Sequence, residues 1–150
     1  MRKVCALLLL CGFGIGACGE STAPSPPLVN ITGTWTGMIG EPRTMNGLRI
    51  TWAAAQNGNT VSGIASVVKP IDNIPAAGIL SGTMSVNQMS LRFMVPSGSV
   101  QGFPSCSVSG AGSAVATDQM ISGMLTLVFA SCSGTGLQST GSDQLTLTKQ

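Results

Sequence analysis

The side chains that could carry out chemistry in this 150-residue sequence do not include histidine. Its absence removes Ser-His and Cys-His nucleophile pairs and histidine-based metal sites. Three aspartates, Asp72, Asp118 and Asp143, fall in predicted turns or loops, where this side chain commonly hydrogen-bonds its own backbone. A Ser-Lys dyad through Lys69 or Lys149 is the remaining nucleophile arrangement. We therefore predict that the protein is not an enzyme and holds no metal or other cofactor.

The N-terminal residues have the organisation of an export signal. Arg2 and Lys3 form a charged start, an apolar run extends over residues 4–15, and small residues lead to Cys18. A run of this length is too short to span a bilayer as a permanent helix. The pattern predicts a signal peptide over residues 1–17.

The segment that ends at Cys18 has two interpretations. Residues 14–19 match the G-x-G-x-x-G pattern of a dinucleotide-binding turn, but three prolines within residues 24–27 stand where that turn needs a helix. Residues 15–18, Ile-Gly-Ala-Cys, instead resemble the lipobox of bacterial lipoproteins, in which an aliphatic residue and two small ones precede a cysteine. The resemblance implies that Cys18 becomes the N-terminus and carries acyl chains such as palmitate, which anchor the protein to a membrane. Alternatives are a secreted protein and an uncleaved anchor.

Localisation and domain organisation follow from the lipobox resemblance. Gly19, in place of an aspartate after the cysteine, implies the outer membrane of a bacterial cell envelope. Removal of residues 1–17 leaves five basic and five acidic side chains, so no net charge remains to attract nucleic acid. We expect a lipidated cysteine and Pro-rich tether over residues 18–30 and one domain over residues 31–150.

Apart from the lipidated Cys18, two cysteines remain after processing, Cys106 and Cys132. They flank a predicted hairpin centred near Thr117-Asp118, and antiparallel pairing would bring them close. A pair of cysteines in an exported chain is most simply a disulfide.

The domain alternates apolar and polar residues in short segments that are separated by turn residues, which is typical of all-β folds. Asn57-Gly58 is the strongest hairpin signal, followed by Asn46-Gly47, Asn87-Gln88 and Thr117-Asp118. The predicted strands cover residues 31–39, 47–56, 60–68, 78–86, 89–96, 106–116, 119–130 and 143–149.

An aliphatic-Ser-Gly motif recurs at unequal spacing, at residues 61–63, 80–82, 108–110 and 121–123. Glycine within strands marks bends where a sheet curls, and closure of the sheet removes its two exposed edges. We predict an eight-stranded antiparallel up-and-down barrel, or meander, with a two-sheet β-sandwich as the alternative.

Alternation assigns one face of five strands to the interior and a threonine-rich face to solvent. The inward set is Gly33, Trp35, Gly37 and Ile39; Leu48, Ile50, Trp52 and Ala54; Leu80, Met84 and Val86; Met89, Leu91, Phe93 and Val95; and Leu145 and Leu147.

Residues 33–35, Gly-Thr-Trp, resemble the Gly-x-Trp opening of lipocalin-type and avidin-type barrels, and residues 145–149, LTLTK, are similar to the end of small lipocalin-like bacterial lipoproteins. The resemblance implies a lipocalin-like barrel in which Lys149 covers the ring of Trp35. Avidin-type biotin sites use tyrosine and several tryptophans, whereas this chain has no tyrosine and two tryptophans. Biotin binding is therefore not expected.

Two kinds of function fit such a barrel. The favoured one is a non-enzymatic scaffold or interaction module, in which a filled barrel presents its loops to a protein partner in the cell envelope. The alternative is a lipocalin-like interior that binds a small apolar ligand among Trp35, Trp52, Leu91 and Phe93. The inward set has many large side chains and no lone polar group to orient a ligand, which favours the filled barrel.

Overall fold

The regular secondary structure in the described part of the chain consists of β-strands. The computed structural model describes residues 28–40, 47–69, 73–100, 105–130 and 138–150. Buried and exposed residues alternate without interruption along the second and fifth strands, as they do in strands with one buried face. Within the described ranges, no helix has the length and apolarity to cross a membrane. The strands are β1 (Gly33–Ile39), β2 (Leu48–Asn57), β3 (Thr60–Lys69), β4 (Ile74–Ser85), β5 (Gln88–Val95), β6 (Ser107–Ala116), β7 (Met120–Ala130) and β8 (Gln138–Lys149).

The strands form a closed barrel in which each one pairs antiparallel with the next. The sheet closes between the first and last strands, where Trp35 lies opposite Lys149 and Ile39 lies opposite Leu145. Closure joins β1 to β8, the two strands that would otherwise form the edges of the sheet. The predicted eight-stranded up-and-down barrel is confirmed, and the sandwich alternative is excluded.

The β2–β3 turn lies one residue beyond its predicted position. Asn57 pairs with Thr60, so the loop is Gly58-Asn59 and not Asn57-Gly58. Gly58 has a φ of 56°, a conformation that glycine adopts without a steric penalty, and this requirement places it first in the loop.

The β4–β5 turn is also displaced by one residue, and here the prediction of an inward side chain is wrong. Ser85 pairs with Gln88, so Val86-Asn87 forms the loop in place of Asn87-Gln88. Val86 was expected in the interior, but it is 40% exposed and has a φ of 58°. A two-residue loop reverses the chain at this point, and alternation does not continue through it.

Two strands begin earlier than predicted. β4 starts at Ile74 rather than residue 78, and β8 starts at Gln138 rather than residue 143. Both extensions contain residues typical of loops. With them, β4 pairs with the whole of β3, and β8 pairs with the whole of β7. The predicted Thr117-Asp118 turn is confirmed, while Asn46 of the predicted Asn46-Gly47 turn lies outside the described residues.

The core fills the inside of the barrel with apolar side chains, and no polar or charged residue is buried within the described ranges. Glycines at inward positions leave room for large side chains of neighbouring strands. A Cβ atom on Gly63 would lie 2.5 Å from Nε1 of Trp52, and one on Gly110 would lie 2.6 Å from Cδ2 of Leu127. These glycines belong to the aliphatic-Ser-Gly motif, so the motif alternates small and large residues inside the barrel.

Candidate functional site

One end of the barrel is closed by the segment that precedes β1. Ile31 is fully buried, and its backbone N–H donates to Oε1 of Gln56 at 2.9 Å. The Ile31 carbonyl accepts a hydrogen bond of 2.7 Å from Nε1 of Trp35. Leu28 and Val29 pack against the same core. The short β2–β3, β4–β5 and β6–β7 turns lie at this end. The Val29 N–H donates to the Val86 carbonyl of the β4–β5 turn at 3.2 Å, so the segment before β1 covers this end of the barrel.

Gly33, Trp35 and Lys149, the residues of the lipocalin-like resemblance, come together at this closed end. Nζ of Lys149 lies 5.4 Å from the centroid of the Trp35 ring, which is within the range of a cation–π interaction. Gly33 has a φ of 138°, and a Cβ atom there would lie 3.1 Å from Cε of Lys149. Glycine thus provides both the backbone conformation and the space for the lysine stem.

The four residues expected to line a ligand cavity all lie inside the barrel. Trp35 and Trp52 are neighbours across β1 and β2, and Leu91 and Phe93 lie on β5. The exposed fractions are 0% for both tryptophans and 1% for the other two side chains. A side chain without accessible surface borders no void large enough for a water molecule.

Trp52 places an unpaired polar atom in this apolar interior. Its Nε1 is buried and has no hydrogen-bond partner in the described structure. An unsatisfied buried donor of this kind costs about 1–3 kcal/mol. Trp35 differs because the Ile31 carbonyl accepts its indole N–H.

The two cysteine predictions fall largely beyond the part of the chain that can be described. Cys18 and Cys132 both lie outside the described residues. Cys106 is buried directly before β6. The β6–β7 pairing ends at Ser107 and Ala130, which are one residue after Cys106 and two residues before Cys132 in the sequence. The disulfide and the lipidation site stay predictions.

Of the three aspartates, one lies where it was expected, one lies elsewhere and one is outside the described residues. Asp118 lies in the β6–β7 turn as predicted, and Asp72 lies outside the described residues. Asp143 was expected in a turn or loop but belongs to β8, where it pairs with Leu125. Polar and glycine residues before Asp143 favoured a loop, yet β7 supplies a partner strand for them. Among the described residues, no three His, Cys, Asp or Glu side chains form a group that could hold a metal ion.

An open groove of about 340 Å³ lies on the outer face of β3, β4 and β5. Register places its polar residues in two rows across the three strands. One row is Thr60, Thr83 and Ser90, and the other is Ser62, Ser81 and Arg92. Val61 and Gly82 complete the lining. The groove therefore combines five hydroxyl groups with one guanidinium group.

Sequence reasoning did not identify this groove, although one signal pointed toward it. The aliphatic-Ser-Gly motif contributes Ser62 and Ser81, which pair across β3 and β4. The motif shows that both serines face outward, but only the register shows that they lie beside each other and beside Arg92.

No protein-family model matches the chain, and no curated protein matches it in sequence. Function is therefore inferred from the geometry of the barrel and its outer face.

Proposed function

We propose that the protein is a non-enzymatic interaction module of the bacterial cell envelope, anchored by lipid on Cys18. Its barrel acts as a rigid, filled scaffold, and recognition takes place on its surface. The observation that carries this proposal is the complete burial of Trp35 and Trp52 in an apolar interior. Side chains already occupy the space that a lipocalin-like ligand would need.

The alternative function is binding of a small apolar ligand inside the barrel, and the unpaired Nε1 of Trp52 is the observation that favours it. A ligand acceptor would satisfy that donor. Binding would require side chains to move first, however, because Leu91 and Phe93 are as fully buried as the tryptophans. The filled barrel needs no such rearrangement.

Fluorescence separates the two functions, because both tryptophans of the sequence lie in the interior. The methyl ester of a dibrominated fatty acid quenches an indole only on close contact, and it has no anionic headgroup that could hold it on the outer face of the barrel. We expect no saturable quenching of the folded protein, and strong quenching by a soluble brominated alcohol once the chain is unfolded in denaturant. Saturable quenching of the folded protein would instead establish the interior as the binding site.

The lipid anchor is tested by Cys18→Ser. Serine cannot form the thioether, so we expect the variant to lose the acyl mass and to accumulate as an unprocessed precursor or as a soluble product. Intact mass and detergent partitioning provide the readouts. An unchanged mass shift and partition would contradict anchoring at Cys18 without affecting the proposal of a filled barrel.

A further inference from the structure

We propose that the outer groove on β3, β4 and β5 binds an amphiphile with an oxyanion headgroup, such as a phosphate carried on an alkyl chain. The inference rests on the proposed function in one respect: it names the surface through which the module would act.

The polar part of the groove has the chemistry of an oxyanion site. Arg92 is exposed, and its side chain makes no ion pair or hydrogen bond with another described residue. Guanidinium is permanently charged, and its fork of N–H donors matches phosphate and carboxylate oxygens. Ser62 and Ser81 stand beside it in the same row and can donate further hydrogen bonds.

No described carboxylate opposes an anion at this position. The acidic residues of the described structure are Asp118, in the β6–β7 turn, and Asp143, on β8. Neither belongs to the three strands of the groove. Among the described residues, Arg92 therefore provides positive charge that no carboxylate of these strands opposes, on a wall that is otherwise rich in hydroxyl groups.

An apolar row borders the groove on the same outer face. Ile64 pairs with Ile79, and Ile79 pairs with Met94. Their exposed fractions are 71%, 47% and 51%, so three large apolar side chains meet solvent side by side. At a strand spacing of about 4.8 Å, the row extends over roughly 10 Å.

The two features are adjacent because they occupy consecutive outward positions on the same strands. Met94 follows Arg92 by two residues, which corresponds to about 7 Å along β5. An anionic headgroup at Arg92 would thus lead directly to an alkyl chain along Ile79 and Met94. A simple anion would leave the apolar row unused, and a neutral lipid would leave the guanidinium unpaired.

The test uses the full chain with [methyl-¹³C]methionine in micelles of dodecyl maltoside, a detergent that carries neither charge nor phosphate, with octyl phosphate as the probe. Met94 reports on the groove, while Met120 and Met124 are similarly exposed on β7 and serve as internal controls. We expect the Met94 methyl signal to shift saturably while the two control signals stay in place. Octyl glucoside, with the same chain and no charge, and inorganic phosphate, with no chain, should each bind at least about tenfold more weakly.

Arg92→Gln should weaken octyl phosphate binding at least about tenfold, because it removes the charged donor. Arg49→Gln is the matched control, since Arg49 is an exposed outward residue on β2, and it should leave binding unchanged. Equal binding by octyl glucoside, equal binding by inorganic phosphate, or undiminished binding to Arg92→Gln would each overturn the proposal.

A final arm distinguishes the two sources of such an amphiphile. Nanodiscs that contain an anionic phospholipid, without octyl phosphate, should perturb Met94 if the headgroup belongs to a membrane, and should leave it unchanged if the ligand diffuses freely. The octyl phosphate titration does not depend on lipidation of Cys18 or on the interior of the barrel. A silent Met94 in the octyl phosphate titration therefore refutes the groove ligand and leaves the filled-barrel proposal standing.

Discussion

At the residue scale, the two tryptophans are equally buried, but only one of them has a hydrogen-bond partner for its ring N–H. Trp35 donates to the Ile31 carbonyl and lies under Lys149, whereas Nε1 of Trp52 has no partner in the described structure. Burial of a polar group costs free energy unless a hydrogen bond replaces its contact with water. The same residue type therefore stabilises the fold to different extents at the two positions.

Replacement of each tryptophan by phenylalanine measures this difference. Both variants lose a similar volume, but Trp35→Phe also breaks a hydrogen bond and weakens the lysine–ring contact, while Trp52→Phe removes an unsatisfied donor. We expect Trp35→Phe to lower the free energy of unfolding by about 1–3 kcal/mol more than Trp52→Phe does. Chemical denaturation, followed by the remaining tryptophan, gives the comparison. Equal losses, or a larger loss in Trp52→Phe, would contradict the assigned hydrogen bonding.

At the scale of strands and turns, the β4–β5 hairpin carries a strained residue. Val86 has a φ of 58°, and its branched Cβ makes this conformation unfavourable. The strain is tolerated because a two-residue loop is needed between Ser85 and Gln88. The Val86 side chain is 40% exposed, so its removal costs part of a valine's apolar burial, and relief of the backbone strain must exceed that cost.

Val86→Gly should therefore raise the free energy of unfolding, by about 1 kcal/mol, because glycine adopts positive φ freely. Val115→Gly is the matched control, since Val115 is 38% exposed within β6 and has no positive φ. There the same substitution should lower stability by roughly 0.5–1 kcal/mol, because glycine weakens a strand interior. Thermal melts of both variants provide the test, and a loss of stability in Val86→Gly would show that the turn is not strained.

Alternation predicted the strand faces well because burial repeats every second residue along a strand. All four inward residues of β5, Met89, Leu91, Phe93 and Val95, are buried as expected. Turn positions were displaced by one residue because the register, and not the dipeptide, decides which residues remain unpaired. Val86 shows the consequence, since it follows the alternation of β4 but lies in the loop.

At the scale of the whole molecule, the order of the strands in the barrel could be predicted. Consecutive hairpins place each strand beside the next, and closure is favoured because it removes the two exposed edges of the sheet. The outer groove could not, since it requires side chains of three strands to align. Residues 62, 81 and 92 become neighbours only through two specific registers. A shift of one residue in either register would separate them.

The interior determines what kind of protein this is. A barrel filled by its own side chains leaves the outer face and the loops for recognition, whereas a hydrated or hollow interior would favour a ligand carrier. The burial of Trp35, Trp52 and Phe93 supports the first possibility.

The most direct test is the exchange of the two indole N–H protons with water, measured by ¹H–¹⁵N NMR on the folded protein. We predict that the Trp52 proton exchanges slowly and shows no contact with water, even though it has no hydrogen-bond partner, because packed side chains exclude solvent from it. Its resonance should also lie upfield of the hydrogen-bonded Trp35 proton and stay unchanged when an uncharged fatty-acid methyl ester is added. Rapid exchange of the Trp52 proton, or a saturable shift with the methyl ester, would contradict the filled barrel.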